Sequence, residues 1–198
     1  MKALLLDLGG VVIDVDPQRC FAYWAEAAGV GVGHVAERWC ADEAYEAFEI
    51  GAIGFGEYLE SLSARLDISL GEDDWRAGWN ALLGDPIADV VAALPALASR
   101  VPLYCFSNTN VVHQATWEQR HADALAPFRR IYVSWQLGMR KPCVAAFQRV
   151  VDDIGVAPED IVFLDDNAAN VRGARAAGLV ARHVPDAAAT MAALREKE

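Results

Sequence analysis

The sequence predicts an α/β fold: a parallel sheet with helices on both faces and a small helical segment inserted after the first strand. Three observations predict it. Compact apolar runs recur along the chain and end in turn residues, helical periodicity fills the gaps between the later runs, and from Pro17 to Gly84 strand-like runs are absent. Strands covered on both faces read as continuous apolar runs rather than as alternating ones, so runs of this kind point to a parallel sheet.

Lys2–Leu6 is the first run and leads into Asp-Leu-Gly-Gly. Asp16 reads as an N-cap ahead of Pro17. Helical spacing then covers Arg19–Ala28, His34–Ala47, Gly56–Leu66 and Asp73–Leu83, punctuated by glycines. This stretch holds four of the six tryptophans (Trp24, Trp39, Trp75, Trp79), which is enough aromatic surface for a core of its own. Ile87–Ser99 reads as a helix with Asp85 as N-cap and Pro86 at its first position. Pro95 is expected to kink or break that helix. Val101–Phe106, Ile131–Ser134, Ile161–Leu164 and Leu179–Val184 are the remaining strands. Val144–Ile154 and Ala168–Ala177 are helices that stop at Gly155 and Gly178, and Ala187–Glu198 is an Ala-rich terminal helix.

The composition excludes several classes. Of 198 residues, 54% are hydrophobic, which excludes a disordered chain. Lys and Arg number 17 against 28 Asp and Glu, a net charge of −11. That excess argues against a nucleic-acid or anionic-membrane surface, which would select basic patches. No run approaches the roughly 20 apolar residues of a membrane helix, and Asp7 interrupts the first run too early for a signal peptide. Cys20, Cys40, Cys105 and Cys143 are scattered without a CxxC pair, so reduced thiols and a cytoplasmic location are expected. Nothing in the charge balance favours one oligomeric state.

In an open parallel sheet, ligands bind at the carboxyl ends of the strands. Those ends carry Asp7, then Ser107, Asn108 and Thr109, then Asp165 and Asp166, with Lys141 on the loop after the third core strand. Asp7, followed by Gly9 and Gly10, is a candidate nucleophile or metal ligand, or an ordinary polar strand end. The neighbouring carboxylates of Asp165 and Asp166 repel unless a cation sits beside them. Mg2+, a hard cation with oxygen ligands, suits them. They also suit capping of the helix that Asn167 opens. Ser107-Asn108-Thr109 is either an anion site at a helix start or a plain cap. Lys141 either neutralises a phosphate or carboxylate or is solvated, and Arg140 reads as solvated. His113 reads more simply as structural. Trp39, Tyr45, Phe48 and Glu49 shape substrate choice or belong to the core of the insert.

Four segments, LLLDLGGVVID, CFSNTN, GMRKP and VFLDDNAAN, occur in this order across the chain, and together they resemble the four motifs of the haloacid dehalogenase superfamily of hydrolases. The insert resembles that family's helical cap of the first type. Its segment FEIGAIGFGEYL is similar to the branch containing bacterial alpha-glucose-1-phosphate phosphatase and the amino-terminal phosphatase domain of soluble epoxide hydrolase. The resemblance implies a Rossmann-like core of residues 1–16 and 86–198 and a cap of residues 17–85. It implies a magnesium-dependent phosphatase acting on a small phosphorylated metabolite, a sugar phosphate among the expected substrates. Asp7 is then the nucleophile that forms an aspartyl-phosphate, and Asp7, the Gly9 carbonyl and Asp166 hold Mg2+. Asp165 sits beside the metal, through water or as an orienting group. Ser107 and the Asn108 amide hold phosphoryl oxygens, and Lys141 stabilises Asp7 and the developing charge. Asn170 stands where many relatives carry an acid. The family's usual phosphatase motif is Asp-x-Asp, and its second acid is here Gly9. That acid supplies proton transfer worth about 10²–10⁴-fold. Asp14 is a weak replacement for it. Two other readings use the same scaffold: a 2-haloacid dehalogenase, in which Asp7 attacks carbon without a metal, and a non-catalytic binding protein.

Overall fold

The structure is a computed structural model and describes residues 1–195. The last three residues of the expected terminal helix lie outside the described residues. That helix runs Ala187–Arg195.

Among the described residues, seven strands form two sheets. In chain order they are β1 (Ala3–Leu6), β2 (Ile13–Val15), β3 (Leu83–Pro86), β4 (Leu103–Ser107), β5 (Arg130–Val133), β6 (Ile161–Asp165) and β7 (Val180–His183). Five of them pair all-parallel in the order β5-β4-β1-β6-β7. Side chains of a strand alternate between faces, and the core divides accordingly. Leu4 and Leu6 of β1 join Leu103, Cys105, Val162 and Leu164 in the cluster on one face. Ala3 and Leu5 join Phe106, Ile161 and Phe163 on the other. Each face is covered by helices, which explains the continuous apolar runs. β1 lies between β4 and β6, so the chain ends three neighbouring strands at one edge of the sheet. Asp7, Ser107 and Asp165 stand at those ends.

The segment after β2 forms five helices, Pro17–Ala28, Val32–Ala36, Glu43–Glu49, Phe55–Leu66 and Glu72–Ala81. They share a third apolar cluster built around Phe21, Trp24, Phe48, Tyr58, Trp75 and Trp79. Trp24 stacks on Trp79 with ring centroids 5.7 Å apart and meets Trp75 edge-on at 5.1 Å. Asp16 caps the first helix as expected, accepting from the Gln18 amide.

Four expectations are corrected. His34–Ala47 is not one helix. The chain leaves the helical path after Ala36, and Asp42 caps a new helix by accepting from the Tyr45 amide. Leu83–Pro86 is a strand, paired antiparallel with β2, so the last helix of the insert ends at Ala81. Asp85 and Pro86 therefore do not open the next helix, which runs Ala88–Ala98 from Ile87. Pro86 is tolerated in a strand because a two-stranded ribbon consists of edges. Pro95 neither breaks nor ends that helix. It sits in the last turn, where the helix continues to Ala98.

Candidate active site

The tight turn after β1 fixes the first carboxylate. The Asp7 amide donates to the Leu164 carbonyl (2.9 Å), extending the ladder between β1 and β6. The Leu8 amide donates to Asp7 Oδ1 (2.7 Å). Gly10 adopts φ +75°, and a Cβ there would run into the Asp166 carboxylate. Only glycine allows both the backbone angle and this close approach.

Lys141 links the first and last motifs. Its Nζ lies 2.8 Å from Asp7 Oδ1 and 2.7 Å from Asp165 Oδ2, and the side chain is 1% exposed. The rings of Phe106 and Phe163 flank the ammonium at 5.3 and 5.4 Å. The loop that carries Lys141 is clasped by Asn108, whose Nδ2 donates to the Lys141 carbonyl (2.8 Å) and whose Oδ1 accepts from the Lys141 amide (2.8 Å). Asp165 is fully buried and fully engaged: besides Lys141 it accepts from the Asn167 amide (2.7 Å) and from Asn170 Nδ2 at 3.1 and 3.0 Å. Its two oxygens thereby hold the Lys141 ammonium and the Asn170 amide in place. Asp166 is exposed to the pocket.

Electrostatics follow from this packing. The Asp7 carboxyl is raised to about 7, with burial as the largest cause. Within that net shift Lys141 acts downward, and Asp165 and Asp166 act upward. Burial alone would lower the Lys141 ammonium, but Asp7 and Asp165 outweigh it and the net shift is upward. Burial and the Asp165 charge raise Asp166. Three carboxylates stand against one ammonium, so the cluster carries an excess of negative charge. Asp7, Asp165 and Asp166 each offer an oxygen within 4.8 Å of the others. Hard oxygen donors with unbalanced negative charge fit a divalent cation such as Mg2+.

The site opens into a cavity of about 450 Å³ lined by the strand ends below and by the helical insert above. Sequence reasoning missed two elements that join these halves. Ser134, fully buried at the end of β5, accepts from the Thr109 amide (2.9 Å) and donates to the Glu49 carbonyl (2.6 Å). Arg140, expected to be solvated, instead pairs across to the insert, with Glu46 at 2.7 Å and Glu49 at 2.9 Å. Its place beside Lys141 in GMRKP was the available signal, since a loop that enters the site carries both side chains there. Of the expected selectivity residues, Trp39, Tyr45 and Glu49 line the cavity, while Phe48 packs inside the insert. Asp14 pairs with Arg19 (2.8 Å) and does not line the cavity, so it does not replace the acid absent at Gly9. The position is also tight: a Cβ at Gly9 would lie 3.1 Å from Val15 Cγ2, so a side chain there requires Val15 to give way by a few tenths of an ångström.

His113 is structural and neutral. Its Nε2 donates to the Trp79 carbonyl (2.9 Å), its Nδ1 accepts from Asn110 (3.1 Å), and its ring stacks on Trp79 at 4.8 Å. Burial lowers its pKa from 6.5 to about 4. The folded state binds this proton less readily than the unfolded state does. The contribution of His113 is therefore complete above pH 6.5 and is lost as pH falls from 6.5 towards 4, by up to about 3 kcal/mol. Urea unfolding across this window should show His113→Gln with a shallower pH dependence than the unsubstituted protein, and equal slopes would contradict the assignment.

The chain belongs to the haloacid dehalogenase-like hydrolases, whose family model matches residues 1–178. It is similar to a sesquiterpene phosphatase of Aspergillus oryzae, 26% identical over 98% of this chain and 95% of that one. It is also similar to a D-ribitol-5-phosphate phosphatase of Bacteroides thetaiotaomicron, 20% identical over 86% of this chain and 85% of that one. Among solved structures, a HAD family enzyme of B. thetaiotaomicron, crystallised with magnesium and inorganic phosphate, superposes with a TM-score of 0.80. The two are 26% identical, over 92% of this chain and 93% of that one. An L-2-haloacid dehalogenase of Xanthobacter autotrophicus shares the fold, with a TM-score of 0.69 and 19% identity over 93% of this chain and 77% of that one.

Proposed function

We propose that this hydrolase is a magnesium-dependent phosphatase that cleaves the monophosphate ester of a small metabolite through an aspartyl-phosphate. The observation that carries the reading is the buried Asp7–Lys141–Asp165 cluster with Asp166 beside it at the floor of a cavity. Phosphatase relatives that cover nearly the whole chain support it.

Asp7, the Gly9 carbonyl and Asp166 would hold Mg2+, which supplies charge neutralisation between the nucleophile and an incoming dianion. Lys141 holds Asp7 in the attacking orientation and faces the developing negative charge. Ser107 and the Asn108 amide receive phosphoryl oxygens. An Asp7 carboxylate oxygen bonds to phosphorus as the ester P–O bond breaks, and the departing alkoxide takes a proton from water because residue 9 offers no acid. Water then cleaves the acyl phosphate, which releases inorganic phosphate and restores Asp7. Attack on the carbon of a haloacid, which needs no metal, leaves the excess negative charge of the cluster without a purpose. The insert of residues 17–85 acts as the cap that shelters this chemistry from water. The group that carries the phosphate is a polyol in one relative and a sesquiterpene in another. The sugar phosphate implied by the sequence resemblance falls with the first.

Phosphate release should require Mg2+ and should vanish in Asp166→Asn. Thermal unfolding gives a second readout. Mg2+ at a hundredfold excess over its Kd should raise Tm by roughly 5–10 °C, and Asp166→Asn should lose most of that rise. Phosphate release indifferent to chelation, or an identical Mg2+ response in the variant, would overturn the metal assignment.

A further inference from the structure

Building on the phosphatase reading, we propose that the phosphate is carried by a hydrocarbon alcohol of medium length, such as a prenyl or long-chain alkyl alcohol, rather than by a polyol. The evidence is the wall of the cavity above the acid cluster. Val15, Phe21, Trp39, Trp79, Leu83 and Trp117 line it. Three polar side chains that line it with them are engaged inside the protein. The Tyr45 hydroxyl donates to Glu49 (2.7 Å). Arg140 is paired with Glu46 and Glu49. Both ring nitrogens of His113 are engaged. The indole N–H groups of Trp39, Trp79 and Trp117 are buried and have no hydrogen-bond partner among the described residues, so what these rings offer a ligand in the cavity is carbon.

The polar lining is thereby divided. At the floor, Asp7, Ser107, Lys141 and Asp166 face one end of a ligand. Above them a ligand meets aromatic and aliphatic carbon, with Tyr45, Glu49, Arg140 and His113 held by one another or by the backbone. A polyol entering this space gives up water hydrogen bonds for each hydroxyl and regains few of them, a loss that a site built for hydroxyls would repay. A hydrocarbon chain gains from the same wall, because it removes apolar surface from water on both sides. The cavity, about 450 Å³, is in the range of small-molecule sites, about 300–1,000 Å³, and is larger than a phosphate alone requires.

The test compares four primary-alcohol monophosphates with Mg2+ present: ethyl phosphate, ribitol 5-phosphate, decyl phosphate and farnesyl phosphate. Primary alcohols keep leaving-group ability similar across the set, and decyl phosphate separates apolar length from the allylic character of the farnesyl ester. The expected kcat/KM for the two long esters exceeds that for ethyl and ribitol phosphate by roughly 100-fold, mainly through KM. Leu83→Asn and Trp39→Ser should each shrink the preference for decyl over ethyl phosphate by roughly tenfold. Farnesol alone should perturb the intrinsic tryptophan fluorescence and ribitol should not. Ribitol 5-phosphate equalling or exceeding the long esters overturns the hydrocarbon assignment and leaves the phosphatase reading standing. Hydrolysis of none of the four overturns the phosphatase reading, and the farnesol titration then still decides what the wall binds: saturable binding upholds its apolar preference, and no binding overturns it.

Discussion

Asp7→Asn should lower phosphate release by roughly four orders of magnitude or more, the scale seen when a nucleophile is removed from a catalytic unit, without unfolding the protein. The two halves of this expectation have separate causes. The loss arises because an amide oxygen is a poor nucleophile towards phosphorus and forms no acyl phosphate. The intact fold arises because burial already disfavours the charged carboxyl and holds it up to about 7. A neutral isostere removes that cost, and Lys141 keeps its partner Asp165 at 2.7 Å. Phosphate release by a colorimetric assay and thermal unfolding of the same sample check both halves. Activity within tenfold of the unsubstituted protein would remove Asp7 from the chemistry. A drop of many degrees in Tm would mean that the loss reports folding instead.

Lys141→Met is the second large effect and falls on stability. The ammonium is 1% exposed and bridges two carboxylates, one of them fully buried. Methionine fills a similar volume beside Phe106 and Phe163 but leaves Asp7 and Asp165 facing each other without a counter-charge. Removing one member of a buried ionic group typically costs about 3–5 kcal/mol, out of a total of about 5–15 kcal/mol for a domain. Urea unfolding should show that loss. Adding Asp165→Asn to Lys141→Met should recover part of it, because the second change removes a stranded charge. A loss under about 1 kcal/mol for Lys141→Met would show that the cluster is more solvated than its packing indicates.

The parallel sheet was legible because β1, β4 and β6 are covered on both faces, so Leu4, Leu5 and Leu6 all had to be apolar, whichever face each one meets. The positions of the candidate site residues were legible for a related reason. The acids stand at or immediately beyond the ends of β1 and β6 and Ser107 ends β4, topology brings these strands side by side, and Lys141 reaches them from the loop that follows β5. What stayed hidden depends on contacts distant in sequence. β3 is only four residues, Leu83–Pro86, containing Gly84 and Pro86, and is held as a strand by its pairing with Ile13 and Val15. No local propensity announces it. The break after Ala36 was more accessible, since Asp42 with Glu43 behind it is an ordinary helix-start signal. Ser134 looked like the last residue of a strand. Its role appears only once Thr109 and the Glu49 carbonyl reach it from two other parts of the chain. Arg140 and Lys141 adjoin in sequence yet serve different halves: Lys141 turns down to the acids and Arg140 up to the glutamates of the insert.

The covalent role of Asp7 has the most direct test in a rapid acid quench of the protein turning over a phosphate monoester with Mg2+, followed by peptide mass spectrometry. A phosphoryl adduct should appear on the peptide containing Asp7 and be missing from the Asp7→Asn variant. Steady turnover with that peptide unmodified at every quench time, or with the adduct on another residue, would contradict it.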